Sequence, residues 1–193
     1  MRGSPRFETG LSRILGDKND AFCRRILQHC QKITSVHITY RRVAVDSDPV
    51  VERALEYFAS GFNCAEAVLL SLAEATQVNC ACIPRMATGF GGGIGRTGDV
   101  CGAISGAVMA LGLAFGRDTA TDADAKEDTY SKVALLVNAF SNEYGSVSCR
   151  DLIGCDLSTK KGQEEAKAKR IHSEICPKFV AFVTAEAWRM LQR

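Results

Sequence analysis

Residues 89–116 read GFGGGIGRTGDVCGAISGAVMALGLAFG, and no other stretch limits the fold so tightly. From Gly98 onward small residues recur every four positions, at Gly102, Gly106, Ala110 and Ala114. Residues four apart share a helix face, so these form a smooth stripe along which a second backbone can approach. Glycine inside a helix costs about 1 kcal/mol relative to alanine. Gly102, Gly106 and Gly112 therefore imply a return in close packing. The pattern predicts a buried central helix over residues 99–115, preceded by a glycine-rich loop. Cys101 falls in its first turn, where N–H groups and the helix dipole favour a thiolate.

Other helices are expected on either side. Asp48-Pro49 opens one, because proline suits the first helical turn. Val51, Leu55 and Phe58 follow at helical spacing, and Gly61 stops it. Asn63 and Glu66 stand at capping-box spacing, which makes Cys64 the first helical residue. Ala65, Val68, Leu69, Leu72 and Ala75 are then the inward face. Residues 85–87 could form a single turn. Tyr130, Val133, Ala134, Val137, Phe140 and Tyr144 mark a long helix ended by Gly145. Ser148 and Asp151 start a short helix with Cys149 near its first position and Gly154 at its end. Charged residues 160–170 read as a solvated face. Cys176-Pro177 opens a last helix with Cys176 at its cap. Strand signals are weak. The reading is all-α: a compact helical bundle of five or six helices over residues 48–193.

Charge divides the chain. Residues 1–45 carry nine Lys/Arg against three Asp/Glu, and residues 46–193 carry fifteen against nineteen. Residues 1–47 read as a basic N-terminal arm or extension, with a short helix in AFCRRILQHCQKI and a short strand in HITYRRVAV. His29 and His37 match no zinc spacing. The arginines lack the aromatic interleaving of a nucleic-acid surface, so no nucleic-acid partner is expected. Gly93 to Gly98 matches G-x-G-x-x-G, but no strand precedes it, and Asp99 stands where a P-loop needs lysine; no nucleotide is expected. Val100 to Gly116 is too short and glycine-rich for a membrane span. His172 reads as solvent-facing, and no paired carboxylates or nucleophile elbow stand out.

Nine cysteines are many for 193 residues. Their odd number and a start without an apolar signal core argue for a reducing, cytoplasmic setting, where clustered thiols mean metal or redox chemistry. Cys64, Cys101, Cys149 and Cys176 each stand at a helix start, which makes them the candidate redox residues and metal ligands. Cys155 is the reserve ligand. Gly91, Gly92 and Gly102 would let backbone N–H groups come near the sulfurs.

These pieces resemble a family named for its C-GCAxxG-C-C pattern, whose members are taken to be redox-active. The matching residues are Gly61-Phe62-Asn63-Cys64-Ala65, Gly89-Phe90-Gly91-Gly92-Gly93, Cys101-Gly102-Ala103-Ile104-Ser105-Gly106, Cys149 with Leu152 and Gly154, and Cys176. Where the family's name has Gly-Cys, this chain reads Cys101-Gly102. The likeness runs from about Pro49 to Val183. It implies an all-helical redox protein with an unidentified redox partner, associated with membrane transport. The chain is also similar to the non-haem part of a split-Soret cytochrome, which implies a [2Fe–2S] cluster. Covalent haem is not expected, since C-x-x-C-H is missing.

Three functions compete. Four thiolates could hold an iron–sulfur cluster that passes electrons. The cysteines could work as metal-free dithiol/disulfide pairs; without C-x-x-C, any pair must bridge helices. The site could instead be a structural or metal-binding module such as a zinc site, which the separations of 37, 48 and 27 residues disfavour. The site could lie within one chain or near a homodimer contact.

Overall fold

Helix starts are written into this chain, and side-chain caps settle where five of the described helices begin. The computed structural model describes residues 48–192. The arm of residues 1–47, with its helix, strand, Cys23 and Cys30, lies outside the described residues. The elements are α1 (Pro49–Ala59), α2 (Cys64–Ala75), a 3-10 helix (Arg85–Phe90), α3 (Gly102–Phe115), α4 (Ala123–Tyr144), α5 (Cys149–Ile153), α6 (Lys160–Ala168), α7 (Ile171–Glu174) and α8 (Cys176–Leu191). Among the described residues the fold is all-α, with six helices of seven residues or more and no named strand. A single antiparallel bridge, Val100 to Ser148, is the nearest approach to a sheet.

Asp48 caps α1 by accepting the Val50 N–H at 2.9 Å, with Pro49 at the first helical position. Asn63 caps α2 by accepting from Ala65 and Glu66, and Glu66 returns the bond by accepting the Asn63 N–H at 2.8 Å. The capping box is complete, and it makes Cys64 the first residue of α2. Ser148 caps α5, and Gly154 closes it in the left-handed region at φ +60°.

The small-residue stripe is where α3 meets α2. A Cβ at Gly106 would lie 2.4 Å from the Ala65 carbonyl oxygen, so the two backbones are closer than any side chain permits. Gly102, Gly106 and Ala110 are buried, but Ala114 is exposed, so the stripe ends one turn early. Gly112 is not part of the contact: a Cβ there would meet nothing within 4 Å. The expectation that all three glycines serve close packing is corrected to two.

Helix α2 is buried almost all round. Glu66, Ala67, Ser71 and Ala73 join Ala65, Val68, Leu69 and Leu72 in the interior, while Ala75 is only half-buried. It packs chiefly on α3 and α1, and α8 crosses α1, α3 and α2. Helix α4 lies against α3 and α8, with a narrower buried face than its sequence period predicts. Leu136 and Phe140 are its buried positions, whereas Tyr130 and Ala134 are exposed. Phe140 and Tyr144 meet Phe179 and Phe182 of α8 at centroid distances of 4.9–6.0 Å. The Tyr144 hydroxyl donates to the Lys178 carbonyl at 3.2 Å, which ties α4 to the first turn of α8.

Among the described residues no helix is long and apolar enough to cross a membrane.

Candidate functional site

The starts of four helices bring their cysteines to one place. Cys64, Cys101, Cys149 and Cys176 all line a cavity of about 540 Å³. Cys101, Cys149 and Cys155 are buried, Cys64 and Cys176 half-buried, and all five are free thiols.

Each sulfur is held by local structure. Cys64 follows the Asn63 cap, whose amide also donates to the Thr88 carbonyl at 3.1 Å. Thr88 in turn donates to the buried Glu66 carboxylate at 2.5 Å, so the box and the 3-10 helix position α2 together. Cys101 differs from the sequence reading. Helix α3 begins at Gly102, and Cys101 is its N-cap residue, with φ −53° and ψ 130°. The chain is still extended there because the Cys101 N–H donates to the Val147 carbonyl at 2.8 Å, beside the Val100–Ser148 bridge. Cys149 is the first residue of α5, and its N–H donates to the Asp99 carbonyl at 2.7 Å. Cys176 is the first residue of α8, not its cap; Ile175 is the cap and Pro177 follows in the first turn.

The glycine loop seals one side. Gly93 adopts φ +68°, and a Cβ on it would lie 2.5 Å from the Asp99 carbonyl oxygen and 2.7 Å from the Cys149 Cβ. The Arg150 N–H and the Ser148 hydroxyl both donate to the Gly98 carbonyl, at 3.0 and 3.1 Å. Gly102 lies directly under a sulfur: a Cβ there would stand 2.4 Å from Cys64 Sγ. Gly92 lines the cavity, while Gly91 packs against the Asn63 side chain instead.

Helix starts were expected to favour thiolates, but burial outweighs them. Burial raises the Cys64 thiol above its ordinary value, against the opposing backbone N–H groups of Gly92, Ala65, Cys64 and Ala103. Burial raises Cys101 too, followed by the nearby Cys64; Ala103 N–H opposes, and Cys149 and Cys176 add to the rise. Cys149 is pushed up to about 11 by burial and then by Cys64. Cys176 is pushed up to about 12 by burial, then by Cys64 and Cys149. Removing a thiolate from water costs more than partial charges at a helix end return. Cys64 raises the other three, and Cys149 and Cys176 add to the rise at Cys101, since a negative sulfur opposes its neighbour.

The remaining candidates separate. Cys155 is buried but does not line the cavity; Lys169 Nζ approaches its sulfur at 3.9 Å. Cys80 and Cys82 form a disulfide within one connection, with Cα atoms 5.3 Å apart. This corrects the expectation that any pair must bridge helices: at that separation the C-x-C turn is within ordinary disulfide reach. His172 is exposed, as its charged surroundings predict, but its ring stacks on Phe58 at 4.1 Å and lines the cavity. The sequence reading also missed Arg96, Lys167 and Arg170 in the lining. Lys167 and Arg170 stand three apart in sequence, and the tertiary fold brings Arg96 to the same cavity.

Among the described residues, no three His, Cys, Asp or Glu side chains stand where they could hold a metal ion. The donor set is four thiols spread around a cavity wall. In a [2Fe–2S] centre each iron takes two cysteine sulfurs, so no three-ligand group is needed, and four thiols match its requirement. The donor set fits such a group in number and kind.

No solved structure matches this chain. A protein of Archaeoglobus fulgidus bearing the name "Uncharacterized protein" is 29% identical over 114 residues, covering 55% of this chain and 76% of that protein. A family model described as "Putative redox-active protein (C_GCAxxG_C_C)" matches residues 62–190. The match begins after α1 and runs through all four cavity cysteines to the end of α8. With its four cysteines gathered from α2, α3, α5 and α8, the chain belongs to this C_GCAxxG_C_C family.

Proposed function

We propose that this is an electron-transfer protein whose redox centre is the set Cys64, Cys101, Cys149 and Cys176. One observation carries the reading: four cysteines far apart in sequence line a single cavity. Buried free thiols with raised pKa values are poor nucleophiles by themselves. A cluster would take them as thiolates, and metal ligation is what turns a buried sulfur into a stable anion. The cluster would supply one-electron chemistry when bound. The chain's own part is to orient the sulfurs, through the caps of α2 and α5 and the first turn of α8, and to shield them. Backbone N–H groups of Gly92, Ala65 and Ala103 around Cys64 would stabilise negative sulfur, and such groups tune a cluster's potential.

The second reading is metal-free dithiol/disulfide chemistry. The observation favouring it is that the four thiols are free and close enough to perturb one another's ionisation. Two of them would be oxidised to a disulfide, the S–H bonds giving two protons to solvent and two electrons to an external redox partner.

An anaerobic visible spectrum separates the two. The first reading predicts charge-transfer absorption that bleaches on reduction with dithionite. A colourless protein whose thiol count falls by two on oxidation would transfer the assignment to the second.

A further inference from the structure

The sulfurs take up only part of the cavity wall, and the rest has its own chemistry. Phe58, Leu152, Ile153, Leu157, Ile171 and Phe179 give it an apolar lining. The charged groups in the lining are all cationic: Arg96, Lys167 and Arg170, with His172 beside them and no Asp or Glu. This single sign runs against residues 46–193 as a whole, where nineteen acids outnumber fifteen bases. Among the described residues neither Arg96 nor Lys167 is paired with a carboxylate, while Arg170 meets Glu174 at 3.1 Å.

The backbone supplies a second observation. Arg96 and Arg170 hold left-handed conformations, at φ +70° and +53°. Residues other than glycine rarely adopt this region, and such strain gathers at ligand sites. Among the described residues, two of the four such positions carry the cavity's arginines. The volume of about 540 Å³ is that of a small-molecule pocket.

We infer that the cavity binds a small organic anion. Its apolar body lies against Phe58, Ile171 and Phe179, and its acidic head meets Arg96, Lys167 and Arg170. The inference rests on the four-cysteine reading in one respect: the bound anion is the molecule to which the sulfur centre is presented.

The test uses the full chain and two probes with one ring system. 8-Anilinonaphthalene-1-sulfonate carries a charge; N-phenyl-1-naphthylamine does not. The sulfonate is expected to bind once per folded chain, more tightly than the neutral probe. Arg96→Gln and Lys167→Gln should each weaken sulfonate binding roughly 5-fold. Neither should change binding of the neutral probe, and Lys126→Gln, away from the cavity, should change nothing. Equal affinity for the two probes would overturn the inference, as would Arg96 and Lys167 variants that bind the sulfonate like wild type. Iron and sulfide are assayed on the same samples. Charge-dependent binding by iron-free protein would uphold the anion site and remove the cluster; iron-loaded protein without it would do the reverse.

Discussion

Gly102 has no space for a side chain. A Cβ there would press on Cys64 Sγ at 2.4 Å and on the Phe90 carbonyl oxygen at 2.8 Å. Gly102→Ala should therefore move the sulfur and destabilise the fold by about 1–3 kcal/mol, the usual cost of overpacking. Thermal melting checks this; an unchanged melting temperature would mean that the α2–α3 contact is looser than described. The thiols themselves set a pH limit. In the reduced, metal-free protein they titrate higher when folded than when unfolded, so the unfolded chain gives up protons first. Their stabilising effect is complete below the ordinary thiol value of 9.0 and is lost as pH rises toward about 11 for Cys149 and about 12 for Cys176. The urea midpoint should fall between pH 8 and pH 10.5, by about 1–2 kcal/mol per thiol in stability. Cys149→Ala should show a shallower fall. An equal fall in that variant would assign the loss to other groups.

Two glycines on α3 make opposite predictions. Gly106→Ala puts a Cβ against the Ala65 backbone at 2.4 Å, and neither helix can give way cheaply. It should lower the melting temperature, whereas Gly112→Ala, with nothing within 4 Å, should raise stability by up to about 1 kcal/mol. A sequence period cannot separate these two positions, because what distinguishes them is whether α2 lies opposite. The same limit explains α4. Its sequence period takes in Tyr130 and Ala134 as well as Phe140, yet only Phe140 of the three is buried, with Leu136 from outside the period, because only the C-terminal half of α4 meets the aromatic face of α8. Caps, by contrast, were legible. Asp48, Asn63 and Ser148 act through bonds to residues two or three away, so the local sequence contains the whole interaction. Asn63→Ala should cost about 1 kcal/mol in thermal or urea unfolding and loosen Cys64 with it.

At the scale of the molecule, the fold converts four helix starts, two of them capped by side chains, into one site. That Cys64 and Cys149 begin helices follows from neighbouring residues. That the four cysteines face one cavity depends on the close approach of α2 and α3 and on the docking of the glycine loop against α5. Arg96 lies in the glycine loop and Lys167, Arg170 and His172 in one charged stretch, so no local signal joined them to the same cavity. Helix dipoles alone do not set the charge of the sulfurs, because burial is the larger effect at each of the four. A set of buried thiols that resist ionisation needs something to balance them as anions, and an iron–sulfur cluster is the proposed balance. The decisive measurement is iron and acid-labile sulfide per chain after anaerobic purification, in wild type and in single Cys→Ser variants. Iron and sulfide should be present in wild type and in Cys155→Ser, and lost on replacing Cys64, Cys101, Cys149 or Cys176. Wild-type protein without iron or sulfide, or variants of those four that keep both in full, would contradict the account.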